Sequence, residues 1–352
     1  MSRPAWARWV TRISLVVGVI ALIVTIHKVG VRALAHYLRH IGWWWFAVVA
    51  LEIVVTTLDA IAIRAFMSPD KIRLRSALLA QLAGRSVNAV TPSGNVGEAV
   101  KVSVLTEHVS QSRAVATILL YNIVSFIAEL GTVAIAAPAV ALLLPMPRDL
   151  RWLLLIVGAV CFVVSVAIYA LVRRGMLASV AKVAVKLRLL SGPRYRRWQA
   201  RLRSVDDKLR LVSGARTRDR WLGIGAIVVS RLTSLTLSLV ILHAIGGPLT
   251  VGFVSGYVTG GFVVYMVATL VPMGLGVSEG GTYELFKALG ENPSFGTALA
   301  LARRTTLVVY AAVGLVLVTL SETVQRARDR QPEPVHEAIP LPTPQVAADV
   351  AD

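Results

Sequence analysis

Apolar residues in this chain run in long blocks, separated by short stretches rich in Lys and Arg. Six blocks read as full membrane crossings: residues 13–27, 43–66, 114–144, 152–171, 221–245 and 298–320. The yardstick is about 20 apolar residues for a helix to cross roughly 30 Å of hydrocarbon. Trp43, Trp44 and Trp45 open the second block, Trp152 the fourth and Trp221 the fifth. Their amphipathic rings favour the head-group level. The third block is longer than one span needs, and Pro138 and Pro145 are predicted to end or kink it.

Two more apolar blocks, residues 76–105 and 251–289, are interrupted. The first breaks at Pro92, Gly94 and Gly97 and then carries Glu98. The second breaks at Pro272, Gly274 and Gly276 and then carries Glu279. Non-helical backbone at membrane depth survives only where protein or a hydrated cavity satisfies its polar groups. Broken helices in corresponding positions of two halves point to a transporter's binding site. Their free helix ends suit an anion such as a lipid phosphate. The competing reading is a pair of structural kinks, with Gly serving close packing and Glu capping a helix start.

Composition agrees with a membrane chain. Of 352 residues, 56% are hydrophobic and 16% charged, and the mean hydropathy is +0.69. A soluble domain carries about 25% charged residues. The net charge of +18 would suggest nucleic acid in a soluble protein. Here the basic residues sit between apolar blocks, where they orient the chain and meet anionic lipid head groups. No nucleic-acid partner is therefore expected. Residues 173–220 hold 15 Lys and Arg against three Asp, which assigns a basic loop at 172–220 to the cytoplasm. Within it, residues 178–190 pattern as a helix lying on the anionic leaflet. Both termini also read as cytoplasmic, and residues 326–352, rich in Pro toward the end, read as a disordered cytoplasmic tail. This threading makes the interrupted blocks re-entrant hairpins entering from opposite faces. The predicted fold is all-α and polytopic: about six full spans and two broken-helix hairpins in a pseudo-inverted repeat.

Charged residues inside the blocks are costly and mark function. They include Glu52, Asp59, Arg64, Glu129, Arg231, Arg303 and Arg304, with Arg85 and Lys101 flanking the first break. Their near balance of sign predicts pairing or a shared polar cavity. Arg64 and Arg303 can instead snorkel to an interface. Other signals carry less. Gly276–Gly280 matches G-x-S-x-G, but without the strand-turn-helix context or a suitable later His. His36 and His40 have metal-ligand spacing with no third ligand beside them. Neither a phosphate-binding G-x-x-x-x-G-K-[ST] loop nor a D-x-D signature is present. No enzyme activity, cofactor or metal is expected. Cys161, the lone cysteine, reads as a small buried hydrophobe.

Asn88, Pro92, Gly97, Glu98 and Lys101 resemble the N…P…G-[DE]…[RK] pattern of the lysylphosphatidylglycerol synthase transmembrane-region family, with Lys where Arg is usual. Residues 272–280 are similar to its P-x-G-x-G…E element, and Arg304 with Gly314 to its R…G pair. The likeness covers about residues 10–325 and implies a flippase-like transmembrane domain at 1–325. It implies movement of a phospholipid or isoprenoid-type lipid between leaflets of a bacterial inner membrane. It does not extend to synthase activity, because the soluble aminoacyl-transferase domain of bifunctional members is not in this sequence. The candidate substrate-binding set is Arg85, Asn88, Glu98, Lys101, Arg231, Glu279 and Arg304. The four cations are assigned to the phosphate and the two acids to pairing them or reading a cationic head group. Two rival expectations remain: a non-transporting partner that recruits a lipid-synthesis enzyme through the basic loop, and a membrane glycosyltransferase-like enzyme.

Overall fold

A computed structural model describes residues 41–70, 72–90, 96–145, 148–174, 207, 217–268 and 276–329. Among these residues there are nine helices and no strands. They are α1 (Trp44–Phe66), α2 (Leu74–Val90), α3 (Val96–Leu105), α4 (Gln111–Leu143), α5 (Arg148–Arg174), α6 (Thr217–Ala244), α7 (Val251–Ala268), α8 (Val277–Ala288) and α9 (Pro293–Asp329). The expected first crossing, His36 and His40, most of the basic loop and residues 330–352 of the tail lie outside the described residues, whereas residues 326–329, expected to be disordered, continue α9. Pro92, Gly94, Pro272 and Gly274 also lie outside the described residues.

Five of the helices are long and apolar enough to cross a membrane: α1, α4, most of α5, α6 and α7. Four of these coincide with expected crossings. The expected run at 298–320 lies within α9. α7, in the sequence reading one limb of a re-entrant hairpin, also meets the length and composition of a crossing. Its 18 apolar residues are by themselves enough for a crossing. Pro138 does not end α4, which continues through it to Leu143. The pyrrolidine ring packs against Gly158 of α5, where a side chain would collide with it. Large apolar side chains such as Phe46, Ile135, Leu142 and Phe162 are exposed, as a lipid-facing surface requires.

α1 and α6 run antiparallel. Phe66 packs over Gly223 at one end, and Trp44 meets His243 edge-on at the other, with ring centroids 4.9 Å apart. Two apolar clusters cap this bundle. One joins Ile63 and Phe66 to Leu105, Ala114 and Ile227, and the other joins Val48 to Leu242, Phe253, Phe286 and Leu299. Between them lies a polar layer holding Glu52 and Asp59 of α1, Gln81 and Arg85 of α2, Tyr121 of α4, and Ser230 and Arg231 of α6. Sequestering so many polar groups midway along apolar helices is tolerable only if they satisfy one another.

The two interrupted blocks are helical hairpins. In the first, α2 and α3 meet at Gly84 and Gly97, where any Cβ would strike the opposite backbone. In the second, Leu289 and Leu285 of the α8 end lie over Gly256 and Gly260 of α7, and Val264 lies over Gly281. The second limbs are short. α3 has 10 residues and α8 has 12, about 15 and 18 Å at 1.5 Å per residue.

Their depths are set against α4. Leu105 shares a cluster with Ala114, and Glu98 accepts a hydrogen bond from Asn122, so the first hairpin ascends the N-terminal half of α4. Gly252 packs against Leu144, and Phe262 packs with Leu130 and Val133, so α7 descends the C-terminal half. The described ends of the limbs therefore approach each other near the middle of α4. α9 closes the bundle by laying Gly314 against Ser86 of α2.

Candidate functional site

The short helices begin alike. Val96, Gly97 and Glu98 open α3, and Val277, Ser278 and Glu279 open α8, so each acid is the third residue of its helix. A carboxylate there faces the partial positive charge of the helix start. Glu279 Oε2 accepts from the Gly276 N–H at 2.9 Å, and Gly276 itself has φ +80°, which favours glycine. In the first hairpin Asn88 does the equivalent work. Its Oδ1 accepts from the Gly97 N–H at 2.7 Å, and its Nδ2 donates to Glu98 Oε1 at 3.2 Å. Asn88 thus latches α2 to the start of α3. The helix-capping role anticipated for glutamate is realised at Glu279.

Each acid also holds a cation. Lys101 Nζ lies 2.9 Å from Glu98 Oε1 and sits over the Tyr121 ring, 5.1 Å from its centroid. Arg304 pairs with Glu279. Arg85 Nη2 lies 3.0 Å from Glu52 Oε2, its Nη1 donates to Thr56 Oγ1, and its guanidinium stacks over Tyr310. Arg231 is shared, at 3.3 Å from Asp59 Oδ1 and 3.5 Å from Glu129 Oε1. Asp59 also accepts from Gln81 at 2.9 Å and from Ser230 at 2.7 Å, and is only 2% exposed.

One cavity of about 500 Å³ opens where the described ends of the hairpin limbs converge. Ala89 near the end of α2, Ala268 at the end of α7 and Ser278 near the start of α8 line it. α4 contributes Glu129 and Thr132, α6 contributes Arg231, Ser234 and Ser238, α7 contributes Tyr257 and Tyr265, and α9 contributes Arg303 and Arg304. Three arginines thus face one lining carboxylate. The Nε of Arg231 is buried with no hydrogen-bond partner among the described residues.

The structure divides the residues that the sequence assigns to phosphate. Arg231 and Arg304 line the cavity, whereas Arg85 and Lys101 lie outside its wall and are engaged by Glu52 and Glu98. Arg303 falls outside the sequence-derived set because it can be read as a snorkelling residue. It instead points into the cavity and donates to Ser238 Oγ. The signal that could have found it is its adjacency to Arg304, together with Ser234 and Ser238 one turn apart on α6. Among the described residues no group of His, Cys, Asp and Glu could hold a metal ion.

These features define a multi-pass helical membrane protein with a polar site at mid-bundle depth, built around two broken-helix hairpins. The chain matches the lysylphosphatidylglycerol synthase TM region family over residues 10–314 and belongs to that family. No curated protein and no solved structure matches it.

Proposed function

We propose that the chain is a lipid flippase or transporter that passes an anionic head group through the cavity between the hairpin tips while the lipid tails stay in the bilayer. Its lipid is a phospholipid or an isoprenoid-type phosphate, and it works without a catalytic step of its own. The observation that carries this reading is the convergence of Arg231, Arg303 and Arg304 on one cavity at the depth where both helices break. Arginine donates in a planar fork suited to phosphate oxygens. A lining of Ser and Thr hydroxyls and Tyr rings offers further partners to a partly hydrated group.

The two hairpins enter from opposite ends of α4, which supports a pseudo-inverted repeat around a fixed site. In this arrangement α2 and α3 open on the side of the basic loop, the cytoplasmic face of an inner membrane, and α7 and α8 on the other. The acids at the helix starts answer the positive ends, leaving the cavity arginines as the anion's main contacts.

A leaflet assay in proteoliposomes tests this reading. Purified chain accelerates exchange of a head-group-labelled phospholipid between leaflets, and Arg303→Gln and Arg304→Gln each slow it by about tenfold, the worth of one charge-assisted hydrogen bond. Unchanged exchange in both variants overturns the cavity as the route. Wild-type exchange no faster than in protein-free vesicles overturns transport and favours the recruiting-partner reading.

A further inference from the structure

Once the ion pairs inside the protein are assigned, the cavity wall keeps one cation and one anion that are incompletely answered. Arg304 is matched by Glu279, whose other oxygen takes the Gly276 N–H. Arg303 has a hydroxyl, Ser238 Oγ, and no carboxylate within ion-pair distance among the described residues. Residues 91–95 and 269–275 contain no Asp or Glu. Glu129 is the opposite case. Its one ion pair among the described residues is the 3.5 Å contact to Arg231, which is also bonded to the buried Asp59. The cavity is therefore polarised, positive at Arg303 and negative at Glu129.

The poles are spaced along α6. Ser238 marks the Arg303 pole and Arg231 the Glu129 pole. Seven residues of helix separate them, about 10 Å at 1.5 Å per residue. Tyr265 also lines the cavity, and an aromatic ring can attract a cation.

We infer that the head group this cavity takes is zwitterionic, a phosphodiester on Arg303 and Arg304 joined to an amine on Glu129 and Tyr265. The inference rests on the proposed lipid-binding cavity and narrows it. Poles marked by positions seven residues apart on α6 call for a ligand that carries its two charges on separate groups, as phosphoethanolamine does. A head group with phosphate alone leaves Glu129 facing it uncompensated. A dianion must draw Arg231 or Arg304 from its carboxylate, which strands an acid in a desolvated site.

The test is competitive binding of short-chain phosphatidylethanolamine and phosphatidylglycerol to the purified full chain in detergent, followed by intrinsic tryptophan fluorescence. The expected result is about tenfold tighter binding of phosphatidylethanolamine, the worth of one charge-assisted contact. Glu129→Gln removes that preference, and Arg303→Gln weakens both lipids. Equal or tighter binding of phosphatidylglycerol by the wild type, still lost in Arg303→Gln, overturns the zwitterionic assignment and leaves the lipid-binding cavity standing. Binding of either lipid that is indifferent to Arg303→Gln overturns the cavity as well, and so does a wild-type chain that binds neither. The wild-type ranking decides the assignment even if Glu129→Gln fails to fold.

Discussion

Gly97 lays its bare Cα against the carbonyl oxygen of Gly84, so the two limbs of the first hairpin touch through backbone. Neither limb can yield there, because the colliding atom belongs to the main chain and not to a flexible side chain. Overpacking a tight contact costs about 1–3 kcal/mol. Gly97→Ala should therefore lower the thermal midpoint of the detergent-solubilised protein. Gly131→Ala on α4, where an added Cβ meets nothing within 4 Å, should leave it unchanged or raise it. Equal midpoints for the two variants would show that the hairpin contact is looser than described.

The Glu98 and Lys101 pair behaves as a unit. Lys101 is 3% exposed, and Glu98 is its ion-pair partner, while Asn88 and Asn122 also donate to that carboxylate. Removing one partner of a buried pair costs about 3–5 kcal/mol, and the partial exposure of Glu98 reduces this to roughly 1–3 kcal/mol. Glu98→Gln should lower stability in a denaturation series. The double variant Glu98→Gln with Lys101→Met should recover most of the loss, because no buried ammonium is then left unpaired. A double variant as unstable as the sum of the single ones contradicts this.

Arg304 and Glu279 should separate folding from transport. Arg304→Gln strands the Glu279 carboxylate at the start of α8, so both melting temperature and lipid exchange should fall. Adding Glu279→Gln should restore the melting temperature while exchange stays low, since the arginine facing the cavity is still missing. Recovery of exchange in the double variant would assign Arg304 a purely structural role.

Hydration of the cavity can be read with thiol chemistry. In a Cys161→Ser background, Ser234→Cys places a thiol on the cavity wall and Ile135→Cys places one on the exposed apolar surface of α4. A charged methanethiosulfonate needs water and a thiolate to react. In bilayers it should modify position 234 and spare position 135. The reverse pattern would place lipid in the cavity and water on the outer face.

Much of the fold was legible because membrane helices announce themselves by apolar length. The runs at 43–66, 114–144, 152–171 and 221–245 match α1, α4, α5 and α6 within a few residues. Local rules left open what tertiary context decides. Of the two prolines read as ending or kinking the third block, Pro138 lies inside α4, where Gly158 of a neighbouring helix makes room for its ring, and α4 ends at Leu143, just before Pro145. α7 reads as half of a hairpin because Pro272 and the glycines near it interrupt its block; it packs against α8 and also has the length of a crossing.

The candidate site was legible in composition and not in partnership. Glu98 and Glu279 were recognisable from the breaks that precede them. Which acid answers which base was not, because Asp59 and Arg231, or Glu52 and Arg85, are brought together across helices far apart in sequence. Arg303 shows the cost of reading charge by depth alone, since a snorkelling residue and a cavity residue have the same sequence.

Sequence alone determined that this chain lives in a membrane and where its helices break, since both follow from local properties: apolar length, Pro and Gly. Only the tertiary structure decided which arginines face open space and which are spent on carboxylates. That choice depends on side chains of α4, α6, α7 and α9 meeting at one depth, and depth is set by packing between helices. The physical reason is that an intramembrane charge must be answered by whatever lies nearest in space, and nearness in space is not written in the order of residues.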